Sequence, residues 1–264
     1  MRSAAAPLDL DGYVARIRGF DGPRFAVATE ERINHGGRTH PILSVTSRAR
    51  APGQKTLLVL AGVHGDEQAG LLAVPHLLDA WTSGASETSE RVRLVVITPV
   101  NPVGAAKMSR TNGDGHDINR DFVRFVTVEA RLVRDVIDRE KPDFVVSLHE
   151  GPQNGTFMFA NRYVEKRIAH ALCDALARGG TKLAKRDYFY RRLRQPGLAP
   201  SSRAQRALTT VWTLTLRSKA TIGYSEDRGI PEIVLESPAR VLDEDARVRP
   251  HVDVVKAVAA LLAR

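Results

Sequence analysis

The chain of 264 residues is 43% hydrophobic and 26% charged and carries a formal net charge of +9, the balance of a globular protein long enough to bury a substantial core. No apolar stretch approaches the roughly 20 residues that a membrane-spanning helix needs. The single cysteine, Cys173, excludes an intramolecular disulfide and sits in a helical-looking run, where a buried thiol is expected. Asp9 and Asp11 interrupt any apolar core of a signal peptide near the start, so a cytoplasmic location is the expectation. The basic surface suits nucleic acid, anionic membranes or acidic small molecules. An Arg- and Ala-rich composition also reaches a pI of about 10 with no such partner.

Taken in order, Phe25–Thr29 reads as a short strand, Gly36-Gly37 as a turn, and Pro41–Thr46 as a second strand placed near an edge by its proline. Thr56–Gly62 is an apolar strand, and apolar on both faces, which places it in the middle of a covered sheet. A helix is predicted from Asp66 to about Trp81, with a kink or early end at Pro75. Thr82–Glu90 is a polar loop, and Val92–Thr98 is another buried strand that ends at Pro99.

From Asn101 to Phe122 the chain is irregular and rich in Gly, Asn and Asp, and so long a connection inside a compact domain points to function. Val126–Arg139 reads as helix, Asp143–His149 as a third buried strand, Gly155–Ala160 as a strand, and Arg162–Arg178 as a helix stopped by Gly179-Gly180. Residues 181–210 are basic without clear periodicity. Val211–Leu216 alternates as a strand does, Pro231–Leu235 is a further strand, and Asp243–Leu262 includes a closing amphipathic helix. Nothing divides the chain into units, so residues 1–264 are expected to form one α/β domain. Its sheet is mixed but mainly parallel, with helices on both faces.

In such sheets ligands gather beyond the carboxyl ends of the strands. His64 and Glu67 lie three residues apart just past one strand, and His149 ends another. Two imidazoles and a carboxylate supply three protein ligands and leave a fourth position open, as a catalytic zinc requires. One cysteine cannot build the thiolate cluster of a closed structural site. Each residue alone also fits a hydrogen-bonded role in the core or at the surface; the combination favours a metal.

The loop run Arg110-Thr-Asn-Gly-Asp-Gly-His-Asp-Ile-Asn-Arg120 adds two arginines and an asparagine. Beside a metal they suit a substrate bearing a carboxylate and a carbonyl that becomes an oxyanion; otherwise the loop is solvated and only makes turns. Glu236 closes the apolar run Gly229-Ile-Pro-Glu-Ile-Val-Leu-Glu. It is a candidate general base or a strand-end salt bridge. The stretch Lys182–Arg194 interleaves aromatics with cations, as a single-stranded nucleic-acid surface does, although a solvated surface loop carries the same residues.

Four blocks then occur in order: HGDE, NPVG through R-T-N to DINRDF, SLHE, and GIPEIVLE. Together they resemble the zinc carboxypeptidase family, within the superfamily that includes succinylglutamate desuccinylases and aspartoacylases, and most of all compact bacterial members such as murein peptide amidases. The resemblance implies one zinc ion per chain on His64, Glu67 and His149, with Asp117 orienting a ligand histidine. It implies that Asn119 and Arg120 hold a substrate carboxylate, that Arg110 polarises the scissile carbonyl, and that Glu236 is general base and then proton donor. The expected substrate is a small peptide or an N-acyl amino acid with a free carboxylate, with no membrane or nucleic-acid partner. The family's mobile tyrosine has no clear counterpart among Tyr188, Tyr190 and Tyr224, and NPVG lacks the acidic residue that commonly follows the proline.

Overall fold

The computed structural model describes residues 8–48, 51–83, 90–188, 190–199, 217–241 and 243–264. In chain order the elements are α1 (Leu10–Arg18), β1 (Phe25–His35), β2 (Arg38–Ser47), β3 (Lys55–Ala61), α2 (Ala69–Ser83), β4 (Val92–Thr98) and α3 (Pro102–Lys107). A short 3-10 turn follows at Ile118–Arg120, then α4 (Val128–Glu140), β5 (Phe144–Gly151), β6 (Phe157–Ala160), α5 (Lys166–Arg178), α6 (Thr221–Asp227), β7 (Glu232–Pro238) and α7 (Glu244–Leu262).

The strands form one mixed sheet in the order β1-β2-β4-β3-β5-β7-β6. Its centre, β4-β3-β5-β7, is parallel, and the flanking pairs β1/β2, β2/β4 and β6/β7 are antiparallel. The apolar runs predicted as buried strands are those central strands, because a strand covered on both faces is filled mainly with apolar side chains. On β3, Leu57, Val59 and Ala61 face one core with Leu71 and Val74 of α2 and Val254 and Val258 of α7. Leu58 and Leu60 face the other, against Val133, Val136 and Ile137 of α4. Each fully buried leucine stabilises the fold by roughly 1.5–3 kcal/mol.

Several expectations need correction. The placing of β2 is not among them: it lies second from one edge of the sheet, near it as expected, and Pro41 pairs only with β1, since the ladder to β4 begins at Leu43. The first strand is more than twice as long as predicted, because a bulge between Thr29 and Glu31 interrupts its alternation. The helix predicted from Asp66 begins at Ala69, whose N–H donates to Glu150 Oε2 (2.8 Å), and it passes through Pro75. The long loop holds α3, capped by Asn101 Oδ1 accepting from Gly104 N–H (2.8 Å). α1 and α6 were not anticipated. The strand expected at Val211–Leu216 lies outside the described residues. No helix among the described residues is long and apolar enough to cross a membrane. Cys173 is buried, and that burial pushes its thiol up to about 12.

Candidate metal centre

β3 ends at Ala61, and Gly62, at φ +73°, turns the chain off the sheet. The next turn must be tight. A Cβ on Gly65 would lie 1.9 Å from the Gly104 carbonyl carbon of α3, so only glycine lets the two backbones meet there. This packing holds His64 and Glu67 over the carboxyl end of β3, beside His149 at the end of the neighbouring β5.

The three side chains converge. Their ligand atoms all lie within 4.8 Å of one another, and all three residues are buried. Glu67 Oε1 is 2.8 Å from His64 Nδ1, Glu67 Oε2 is 2.7 Å from His149 Nδ1, and the two Nδ1 atoms are 3.2 Å apart. Asp117 Oδ1 lies 3.2 Å from His64 Nε2. A carboxylate there places the His64 proton on Nε2 and leaves the Nδ1 lone pair aimed into the cluster.

The electrostatics fit a cation. Burial disfavours a charged His64, yet the Glu67 carboxylate and the Asp117 hydrogen bond lift its imidazole to about 9. His149 is pushed below its ordinary value by burial, Glu67 falling short of offsetting it. Burial alone would raise Glu67, but the two imidazoles hold it well below the usual carboxylate range. Asp117 sits at about 2: burial raises it, and His64, Arg110 and Arg120 more than reverse that. Two imidazole nitrogens 3.2 Å apart around one carboxylate share a proton or hold a metal. Two neutral nitrogens and a carboxylate oxygen are the donor set that zinc takes.

Arg110 lies over this cluster rather than apart from it. Its Nη1 is 3.2 Å from both His64 Nδ1 and Glu67 Oε1, and its Nε donates to Asp117 Oδ2 (3.1 Å). Glu236 stands opposite His149 in the β5/β7 register, near the end of a strand that runs past the predicted Leu235 to Pro238. Burial, then the charge of Glu67, raises its carboxyl well above the ordinary range. Asn119 is buried in the 3-10 turn, with Oδ1 accepting from Thr221 N–H (3.0 Å). Arg120 is exposed beside it and donates from Nη1 to the Asn119 carbonyl (2.8 Å). A cavity of about 220 Å³ opens along Asp117 and Arg120, with Arg124 and Arg217 also in its wall.

The tyrosines separate cleanly. Tyr188 packs its ring against Phe157 and Phe159 of β6, and burial, then the charge of Glu236, raises its phenol. Tyr224 packs against Phe122 and Phe125 under the Arg228 guanidinium, and Tyr190 is exposed. The basic stretch that carries Tyr188 is a loop whose Ala184 and Leu193 pack on Phe157 of β6.

Three supporting residues escaped the sequence reading. Glu150 accepts from the Arg247 Nε (2.9 Å) and Nη2 (3.1 Å) as well as from the start of α2, and its own N–H donates to Glu67 Oε2 (3.2 Å). Gln153 Nε2 donates to the carbonyls of Glu236 (3.1 Å) and Ser237 (3.2 Å). Glu232 is buried beneath Thr221. Glu150 left a signal as the last letter of SLHE, and Glu232 left one as a charged residue opening an apolar run.

The chain is similar to known proteins both in sequence and in fold. The model of the succinylglutamate desuccinylase/aspartoacylase catalytic domain matches residues 53–184, half of the chain, covering HGDE, the loop arginines and SLHE. A candidate carboxypeptidase 2 of Trichophyton verrucosum is 28% identical over 129 residues, which is 46% of this chain but only 25% of the fungal protein's length. Among solved structures, a candidate metallopeptidase of Shewanella baltica superimposes with a TM-score of 0.74 at 22% identity, over 96% of this chain and 92% of that one. A succinylglutamate desuccinylase/aspartoacylase of Rhodobacter sphaeroides gives a TM-score of 0.57 at 20% identity, over 98% of this chain and 67% of that one. At such identities the superpositions speak to the fold, while the matched family model carries the lineage. The chain belongs to the succinylglutamate desuccinylase/aspartoacylase family, in the superfamily that also holds the zinc carboxypeptidases.

Proposed function

We propose that this protein is a zinc-dependent hydrolase that cleaves an amide bond next to a free carboxylate. The observation that carries this reading is the convergence of His64, Glu67 and His149 within 4.8 Å, with Glu236 in register beside His149. Zinc on those three residues, one ion per chain, would supply a Lewis acid that polarises a carbonyl and makes water a nucleophile at neutral pH.

The chain's own groups do the rest. Asn119 and Arg120 hold the substrate carboxylate, and the arginine-lined cavity beside them favours an anionic end. Glu236 Oε takes the proton from the attacking water and returns it to the leaving nitrogen as the tetrahedral carbon collapses. The Arg110 guanidinium faces the charge that develops on the carbonyl oxygen. Asp117 keeps His64 in the tautomer that presents Nδ1.

A second reading takes an N-acyl amino acid as the substrate, and the family match favours it. Both readings share the site. Metal analysis and assays on C-terminal dipeptides, murein peptides and N-acyl amino acids separate them. One zinc per chain is expected, with a Glu236→Gln variant that keeps the zinc and loses ~10²–10⁴-fold in kcat. A metal-free protein, or an undiminished variant, refutes both readings.

A further inference from the structure

Beneath the proposed carboxylate clamp lies a buried polar cluster that the reaction itself does not use. Glu232 opens β7 opposite Val145 and is fully buried. Its Oε1 accepts from Ser147 Oγ of β5 (2.9 Å) and from Thr221 Oγ1 at the start of α6 (2.9 Å). Ser147 and Thr221 are themselves buried. No arginine or lysine among the described residues pairs with this carboxyl, so it is not half of a salt bridge. It is an acceptor for two hydroxyls at once, set in a core where an aliphatic residue would otherwise serve.

What that acceptor holds is the segment Lys219–Thr221, and this segment grips the clamp at three points. Lys219 N–H donates to the Arg120 carbonyl (3.1 Å), Phe122 N–H donates to the Lys219 carbonyl (3.1 Å), and Thr221 N–H donates to Asn119 Oδ1 (3.0 Å). The third bond decides orientation. A carboxamide has one accepting end and one donating end, and a backbone N–H can meet only the acceptor. With Oδ1 committed to Thr221, the free end of Asn119 is Nδ2, a donor, which is the end a carboxylate needs. A flipped amide would present an oxygen to the anion and repel it.

We propose that Thr221 and Glu232 are positioning residues for substrate binding: the buried carboxyl anchors Thr221, and Thr221 fixes the Asn119 carboxamide with its Nδ2 donor directed at the substrate carboxylate. The inference rests on the reading of Asn119 and Arg120 as the carboxylate clamp. It assigns no chemistry to either residue; both act through Asn119.

The test is nuclear magnetic resonance on the zinc-loaded full chain, with succinate as a carboxylate probe that cannot be hydrolysed. In the wild type, a scalar coupling across the hydrogen bond from the Thr221 amide nitrogen to Asn119 Cγ is expected, and its absence overturns the proposal without any substitution. Succinate should then shift the Asn119 Nδ2 proton resonances on titration. Thr221→Val, which keeps the shape and loses the hydroxyl, should weaken succinate binding by about tenfold, while Thr221→Ser stays within about twofold of wild type. A Val variant that binds as the wild type does, or a Ser variant as weak as Val, overturns the role of the hydroxyl while leaving the clamp intact. If the wild-type Asn119 resonances ignore succinate, the clamp reading itself fails and takes the inference with it.

Discussion

Glu232→Gln isolates the consequence of a lone carboxyl in the core. Glutamine keeps an oxygen that can accept from Ser147 and Thr221, and its amide nitrogen can donate to the Ser225 hydroxyl nearby, so the polar contacts can be kept while the ionisable group is removed. In the wild type, burial pushes this carboxyl from 4.5 up to about 7, with the hydroxyl hydrogen bonds pulling the other way and losing. A carboxyl whose folded value lies above its unfolded one stabilises the fold while it is protonated. That contribution is complete below about 4.5 and is lost as the pH rises through about 7. The displacement corresponds to about 3 kcal/mol in all, of which about 2.5 kcal/mol falls between about pH 5 and about pH 8. Urea unfolding of both proteins at matched zinc reads it directly, because every other titrating group is common to the pair and cancels in the difference. Relative to the glutamine variant, the wild type should lose about 2 kcal/mol or more as the pH rises across that window. Parallel stability curves, or a wild type that gains on the variant with rising pH, would refute the argument that Glu232 is buried without a counter-charge.

Arg247→Ala should destabilise the protein by about 3–5 kcal/mol in the same urea assay, since it strands the buried Glu150 carboxylate that also starts α2. Gly65→Ala forces a methyl into the Gly104 backbone and should cost about 3 kcal/mol, with weakened zinc retention on dialysis against a chelator. The acid limb of kcat/KM should fall above the ordinary glutamate range, because Glu236 must be ionised to take a proton and burial beside Glu67 raises it; a limb at or below 4.5 contradicts its role as base.

What was legible in the chain follows from how far its interactions reach. The central strands were readable because burial on both faces leaves them mainly apolar, a signal contained in seven or eight consecutive positions. The convergence of His64, Glu67 and His149 was readable for a related reason: parallel strands place their carboxyl ends side by side, so a His or Glu just past two such strands can be expected to meet. The family blocks supplied roles for the loop residues that spacing alone left open between clamp and turn. Boundaries failed where tertiary contacts set them. α2 starts at Ala69 because of a carboxylate 81 residues away. The groups under the site failed more completely, because their partners are remote: Thr221 lies 102 residues from Asn119, and Ser147 lies 85 from Glu232. Yet each left a trace. Ser147 interrupts Phe-Val-Val-Ser-Leu, and Glu232 opens Glu-Ile-Val-Leu, both within strands whose other residues are buried. A polar side chain in a doubly covered strand must find a partner or weaken the fold. Two such residues on adjacent strands therefore announce a buried polar cluster, although the sequence is silent on the third element that completes it. Here that element is the start of α6, and through it the cluster reaches the Asn119 amide.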